Sequence, residues 1–511
     1  MAQVTSHMGT ISEIIQRGAG GAQALMAPGR PALTYRDLRD LAERTVIDLN
    51  GFGIGRNDRV AIVLPNGPEM AAAFVAVGTG ATTAPLNPAY RAEEFEFYLS
   101  DLGARALLVP SDAESPAIDV AGKLGIPVLR LTSDAHAPAG AFTITGETMG
   151  EPARPGVASA DDIALILHTS GTTSRPKLVP LSHGNVAASA VHICESLALT
   201  AGDRCVNIMP LFHIHGLIAA VLASLTAGAS VFCTPGFNAL KVFQWMEEAD
   251  PTWYTAVPTM HQAILARALR NRETVDGLNL RFARSSSSSL PPQVMAELEE
   301  TFGCPVIESY GMTEAAHQMA SNPLPPRPRK PGSVGPAAGP EMAVMAPDGT
   351  LLTSGEIGEI VIRGPNVTTG YENNETANAE AFAFGWFHTG DQGTMDEEGY
   401  VRITGRLKEI INRGGEKISP REVDEVLMDH PAVQQVVTFA LPHDKLGEEV
   451  AAAIVRREGK EASDREIRDF AARRLADFKV PRRIVFLDEI PKGATGKLQR
   501  IGLAEKLGLV E

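Results

Sequence analysis

Cysteine is scarce in this chain. Among 511 residues there are four, Cys194, Cys205, Cys233 and Cys304, with no CxxC spacing, which fits reduced thiols and excludes a disulfide framework or a zinc site. Positive charge is also short: 46 Lys and Arg stand against 61 Asp and Glu, a net charge of −15. Such a balance excludes nucleic acid or an anionic membrane as the main partner, because both reward a basic surface. Met1 to Thr10 holds neither a basic cluster nor an apolar core, so no secretory signal is expected there. The closing Leu509-Val510-Glu511 is not a Ser-Lys-Leu address, and a cytoplasmic location is expected. The longest apolar run, Leu217 to Cys233, is interrupted by Ser224, Thr226, Gly228 and Ser230 and falls short of a membrane span. There is no internal repeat, and only Ser285 to Ser289 is low in complexity.

What is present is ordinary globular material, 44% apolar and 21% charged, in a chain too long for one core. Helix-period and strand-period segments alternate at the start: a helix over Tyr35 to Gly51, a strand over Arg59 to Leu64, a helix over Pro68 to Val77, a strand over Ala104 to Val109. This predicts an α/β class, a large N-terminal region of layered sheets that are largely parallel. Beyond the Pro-, Arg- and Gly-rich stretch 323–336, short strands at Glu359 to Arg363 and Tyr400 to Thr404 predict a small β-rich part. A second unit starts near Arg406. Its helix starts are marked by Ser419-Pro420-Arg421-Glu422 and Ser463-Asp464-Arg465-Glu466, each read as a capping box. Strands at Val433 to Ala440, Glu449 to Arg456 and Arg483 to Leu487 complete a small α+β domain.

Chemistry is concentrated in a few segments. Thr169-Ser170-Gly171-Thr172-Thr173-Ser174-Arg175-Pro176-Lys177 follows the apolar strand Ile163 to Leu167. Small and hydroxyl residues leave backbone N–H groups open there, and Arg175 and Lys177 add charge, a set that suits a polyphosphate. It is not the GxxxxGK[ST] loop, and composition alone equally fits a flexible loop with solvated cations. Tyr310-Gly311-Met312-Thr313-Glu314, Thr389-Gly390-Asp391, Gly405-Arg406-Leu407-Lys408-Glu409 and Pro491-Lys492-Gly493-Ala494-Thr495-Gly496-Lys497 follow in order. Singly, each also fits a strand end, a turn or a surface charge.

Together and in this order these segments resemble the adenylate-forming superfamily, which includes acyl-CoA synthetases, luciferases and peptide-synthetase adenylation domains. The resemblance implies ATP with Mg²⁺, and coenzyme A as cosubstrate. Thr169, Ser170, Gly171, Thr172, Thr173 and Lys177 would hold phosphates, Tyr310 the adenine, Thr313 a phosphate and Glu314 the metal. Asp391 and Arg406 would hold the ribose, and Ser288 is assigned to the nucleotide as well. Lys497 would be the catalytic lysine, bridging substrate carboxylate and α-phosphate. It further implies domains over 1–405 and 409–511, turning about a hinge at 406–408 centred on Lys408, with Gly414 and Gly415 lining the path of the CoA arm. In a family where this lysine is acylated, a lysine acetyltransferase and deacetylase acting on Lys497 would switch the first step.

The acid pocket is expected between His213-Ile214-His215-Gly216, Trp253 to Pro258, the serine run and the segment after Glu314. Its walls are polar, with Arg284, His213, His317 and five consecutive serines, and such groups suit a second carboxylate. Thr252 to Pro258, Arg281 to Ser285, Met312 to His317 with Ser321 to Pro325, and Phe384 to His388 resemble the oxalate–CoA ligase branch. That resemblance implies that Ser287 and His317 contact the acid. Ser286 and Ser288 stand where the branch can carry other small residues, and Leu178 where glycine commonly follows the phosphate-loop lysine; malonate, glycolate or another short acid stays open. A carrier-protein thiol as acceptor, a luciferase-like oxygenase and a regulator without turnover are the competing readings. The chain would act as a monomer or homodimer.

Overall fold

The computed structural model describes residues 9–169, 176–493 and 497–510. Two large sheets form the body of the N-terminal region. In the eight-stranded sheet, the central strands Val306–Met312, Phe282–Ser285, Trp253–Ala256, Arg204–Asn207, Ser230–Cys233 and Gln23–Met26 run parallel, with antiparallel His317–Ser321 and Leu33–Thr34 at the edges. In the seven-stranded sheet, Val128–Thr132, Ala106–Pro110, Arg59–Ile62, Thr82–Pro85 and Ile163–Thr169 are parallel, flanked by antiparallel Thr143–Thr145 and Lys177–Ser182. Strands such as Trp253–Ala256 and Thr82–Pro85 are buried at every position, as strands covered on both faces must be. One apolar core joins the facing sides of both sheets, and the apolar helix Pro68–Gly78 fills it.

Local signals set the helix ends. Thr34 caps Tyr35–Gly51 in a capping box with Asp37, and that helix has the bounds expected of it. Ser463 and Glu466 form a full box at Asp464–Ala472. At Pro420–Met428 only half the expected box forms. Ser419 accepts the Glu422 N–H, but the Glu422 carboxylate takes the Lys479 ammonium at 2.7 and 2.8 Å instead of turning back. The ion pair competes for the same oxygens and wins.

The apolar run from Leu217 divides into a π-helix, His215–Leu222, a short helix, Ala223–Thr226, and the strand Ser230–Cys233. No helix among the described residues is long and apolar enough to cross a membrane. A third, antiparallel sheet contains Glu341–Met345, Gly358–Arg363, Trp386–Met395, Phe382–Ala383 and Val401–Arg406. A fourth, Glu416–Ile418, Ile411–Arg413, Gly447–Arg456, Val433–His443 and Arg483–Phe486, has its own apolar clusters. The two regions touch through Ser419, whose hydroxyl donates to the Thr404 carbonyl, through Arg402 and Glu425 at 3.6 Å, and through Arg457 and Glu297 at 3.7 Å.

Candidate active site

The nucleotide side is built on strand pairing. Asp391 and Arg406 are opposite one another on the antiparallel strands Trp386–Met395 and Val401–Arg406, so register alone brings carboxylate and guanidinium together. Arg406 Nε donates to Asp391 Oδ1 at 2.8 Å, and the Tyr310 hydroxyl donates to Oδ2 at 2.5 Å. Burial alone would lower the Arg406 pKa; the Asp391 charge and hydrogen bond outweigh it and hold the guanidinium above its ordinary value. Tyr310 lies just beyond the parallel part of its strand, opposite Ala320 on the antiparallel edge strand, and Thr313 begins the single turn Thr313–Ala315, which presents Glu314.

Glu314 is buried, and burial raises its pKa, opposed by the Tyr371 hydrogen bond and by the charges of Arg406 and Lys177. The Tyr371 hydroxyl donates to Glu314 Oε1 at 2.8 Å, and the face of the same ring carries Lys177 Nζ 4.3 Å from its centroid. Tyr371 was not singled out from the sequence; it meets Glu314 across 57 residues. Lys177 begins a strand that pairs antiparallel with Ile163–Thr169, with Thr169 opposite Lys177, and these two residues bound the expected phosphate segment. Its Ser170, Gly171, Thr172 and Thr173 lie outside the described residues. No group of three or more metal-ligating side chains occurs among the described residues. One carboxylate beside a phosphate lysine suits Mg²⁺, which takes much of its shell from water and phosphate oxygens.

The acid side gathers around His215 at the start of the π-helix, a helix form that recurs at functional sites. Gly216 permits the approach, because a Cβ there would sit 2.5 Å from the Pro210 carbonyl oxygen. His215 is fully buried. Its Nε2 is 2.6 Å from Thr255 Oγ1 and 3.4 Å from Arg284 Nη1, and its Nδ1 is 3.0 Å from Ser287 Oγ. The rings of His215 and His317 meet edge to face at 4.9 Å. His317 is seated by a tight backbone crossing: it has φ +99°, and a Cβ on Gly311 would fall 1.6 Å from its carbonyl oxygen. Ser287 also has a left-handed φ, +73°, a strain that accumulates at working sites.

Arg284 is fully buried on the strand Phe282–Ser285, and burial draws its pKa down to about 9. Among the described residues its guanidinium meets Thr255, His215 and Gln318 at 3.3 to 3.4 Å and no carboxylate, and its Nε has no partner. Neither His317 nitrogen nor Ser285 Oγ has one either. Burial and the neighbouring positive charges hold His215 and His317 well below the usual histidine range, and His213, half-buried, is drawn down to about 3 by burial and by Lys497. The imidazoles are therefore neutral. Ser288 is exposed, its hydroxyl on the Ser287 carbonyl, and Ser286 bonds the Ser309 carbonyl at 3.1 Å.

Lys497 comes to this junction from the C-terminal region. It is half-buried; burial and the Arg406 charge draw its pKa down to about 8, while Asp391 and Glu314 pull the other way. Its carbonyl accepts the Gly493 N–H at 2.8 Å, and the Gln499 N–H donates to Pro491 O at 3.1 Å, closing the loop at its base. Arg500, not foreseen from the sequence, anchors that base through Asp424 at 2.9 Å, the Thr438 carbonyl at 2.7 Å and Glu409 at 3.1 Å. Lys408 is exposed in the short turn Leu407–Glu409. Gly414 and Gly415, with φ of +60° and +98°, form the turn of a hairpin, and the Gly414 N–H is tied to Leu446 O.

Comparison with known proteins shows the family. Residues 15–372 match the family described as AMP-binding enzyme, and residues 422–497 its C-terminal domain. An oxalate–CoA ligase of Arabidopsis thaliana is 48% identical, covering 94% of both chains, and one of Saccharomyces cerevisiae is 41% identical, covering 93% of this chain and 92% of its own. The ATP-bound crystal structure of MatB from Rhodopseudomonas palustris superposes with a TM-score of 0.88 at 29% identity, covering 98% of this chain and 99% of that one. The apo form of the same protein gives 0.78. The chain belongs to the AMP-binding enzyme family.

Proposed function

We propose that this protein is an oxalate–CoA ligase, which joins oxalate to ATP as oxalyl-adenylate and then passes the oxalyl group to the thiol of coenzyme A. The observation that carries the reading is Arg284, a buried cation that, among the described residues, has no carboxylate partner and one N–H unused, next to His317, whose two nitrogens lack partners there too. Burying an unpaired charge is costly. A small acid with a second carboxylate supplies the missing anion, and a monocarboxylate does not. The oxalate–CoA ligases among the relatives support the same choice.

In the first step a carboxylate oxygen of the acid attacks the α-phosphorus of ATP, and the bond to the bridging oxygen breaks, releasing pyrophosphate. No general base is needed, since the acid is already ionised. Lys177 and the segment 169–173 take the phosphates, Asp391 and Arg406 the ribose, and Tyr310 the adenine. Glu314 would hold magnesium, which would supply charge neutralisation for the phosphates. Lys497 stands between the two anions that must meet, so its charge acts most strongly where they come closest. In the second step the CoA sulfur attacks the acyl carbon and AMP leaves. For this the region 409–511 turns on Lys408, within the hinge 406–408, carrying Lys497 away from domain 1–405 and bringing Gly414 and Gly415 to the CoA arm. Acetylation of Lys497 would remove the charge that the first step uses.

A panel of short mono- and dicarboxylic acids, scored by pyrophosphate release with CoA present, tests the reading. Oxalate is expected to exceed acetate by more than about a hundredfold in kcat/KM, roughly 2.7 kcal/mol. Equal rates would end the proposal, and a preference for malonate would move it to a longer diacid.

A further inference from the structure

We propose that His215 is a positioning residue for the acid: Thr255 and Arg284 hold it as the Nδ1–H tautomer, and it turns the Ser287 hydroxyl into a fixed hydrogen-bond donor toward the second carboxylate. The inference rests on the diacid reading above, and it concerns which proton faces the substrate.

The argument is one of donors and acceptors. Arg284 can only donate, and its Nη1 lies 3.4 Å from both His215 Nε2 and Thr255 Oγ1. A hydrogen on Nε2 would point at a guanidinium that has none but hydrogens to offer. Nε2 therefore accepts, taking the Thr255 hydroxyl proton at 2.6 Å, while Thr255 Oγ1 accepts from Arg284. A neutral imidazole with an accepting Nε2 carries its proton on Nδ1, and Nδ1 is 3.0 Å from Ser287 Oγ. Burial and the surrounding charges of Arg284 and Lys497, with His213 and His317 also against it, keep the ring neutral. Ser287 Oγ then receives a hydrogen bond from behind. Its own proton is left to donate, and a carboxylate, which only accepts, is the complement. The left-handed backbone of Ser287 fixes the direction from which this hydroxyl leaves the chain. Thr255 comes from one strand and Arg284 and Ser287 from the end of the next and the loop after it, so the chain holds three contacts to one buried ring, a degree of constraint that a packing histidine does not need.

Two substitutions separate the ring's edges. In His215→Asn the amide NH₂ reaches the Nδ1 position and can still donate to Ser287; in His215→Gln the amide reaches the Nε2 position and that donor is lost. The ratio of kcat/KM for oxalate over acetate is expected to fall about tenfold in His215→Gln and in Ser287→Ala, and to recover most of that loss in His215→Asn. The double variant His215→Gln/Ser287→Ala is expected to fall no further than either single one, since one residue acts through the other. Multiplying losses, about a hundredfold in the pair, would overturn the proposal, as would equal loss in the Asn and Gln variants. Independently of any substrate, ¹⁵N NMR of histidine-labelled wild-type protein should show His215 protonated at Nδ1. An Nε2–H signal overturns the tautomer assignment even if oxalate is the substrate. If the panel instead selects another diacid, the same ratios are measured with that acid, so failure of the substrate reading and failure of the relay are seen separately.

Discussion

The two halves of the pocket are finished to different degrees. On the nucleotide side the charged groups already have protein partners: Asp391 is held by Arg406 and Tyr310, and Glu314 by Tyr371, whose ring carries Lys177. On the acid side Arg284 Nε, both nitrogens of His317 and Ser285 Oγ are buried without partners among the described residues. A satisfied network is stiff and presents a fixed surface to a ligand large enough to bind by many contacts. An unsatisfied one is incomplete until a small ligand supplies the missing oxygens, and it discriminates strongly because the wrong ligand leaves buried donors unpaired. The difference suggests that ATP recognition is stored in the fold and that selectivity is stored in what the acid pocket leaves undone.

The charge of Lys497 is felt on both sides, by Arg406, Asp391 and Glu314 and by the three histidines, so removing it should give the largest effect. Lys497→Ala is expected to slow adenylate formation by about a thousandfold, at the upper end for loss of one electrostatic stabiliser. Thioester formation from supplied oxalyl-adenylate should remain largely intact. Equal loss in both steps, measured separately, would end the proposed division of labour. The pH profile gives a second check. Only the protonated lysine bridges anions, and burial draws its pKa down to about 8. The free-enzyme profile, kcat/KM, should therefore fall as pH rises through about 8, approaching tenfold per unit, and Lys497→Arg should move that limb out of range.

The next effect breaks the comparison on its unsatisfied side. Arg284→Met is expected to lower kcat/KM for oxalate by about a hundredfold, the scale of a lost hydrogen bond to a charged group. The folded protein should not lose stability, and its Tm should hold or rise, because an unpaired buried cation is replaced by an apolar chain of similar length. A fall in Tm by many degrees would mean that Arg284 is a structural strut and that the pocket is complete without an acid.

Sequence order made the nucleotide side readable. Asp391, Arg406, Tyr310 and Glu314 are in short segments whose residue order carries the resemblance, and the helix Tyr35–Gly51 was bounded by its own Thr34 and Asp37. The acid side was read as a polar composition, with Ser287 and His317 added by the resemblance. His215 was not singled out within the His213-to-Gly216 segment, and it is the ring that Thr255 and Ser287 hold, across 40 and 72 residues of chain. Arg500 and Tyr371 escaped for the same reason, since their partners Asp424 and Glu314 are 76 and 57 residues away. Periodicity and capping are local, whereas these contacts depend on how sheets and regions meet. The half-formed box at Ser419 is a small case of the same limit: the local pattern was right, and a distant Lys479 redirected it.

The smallest effect sharpens the comparison on the satisfied side. Tyr371→Phe keeps the ring beneath Lys177 and removes only the hydroxyl that Glu314 accepts at 2.8 Å. On this side the bond exists before any ligand arrives, so its loss should appear in the free protein as a destabilisation of about 1–2 kcal/mol, the cost of leaving a buried acceptor short of one partner. The kcat/KM for ATP should fall by no more than about tenfold, with a higher Mg²⁺ requirement, and the oxalate-to-acetate ratio should stay where it was. Tyr371→Leu, which also removes the aromatic face, should cost more on both scales. The signature is the reverse of that expected for Arg284→Met: stability falls and acid selectivity does not. If Tyr371→Phe left Tm untouched and changed the acid ratio, the hydroxyl would belong to the acid side, and the pocket would not divide where the hydrogen bonds say it does.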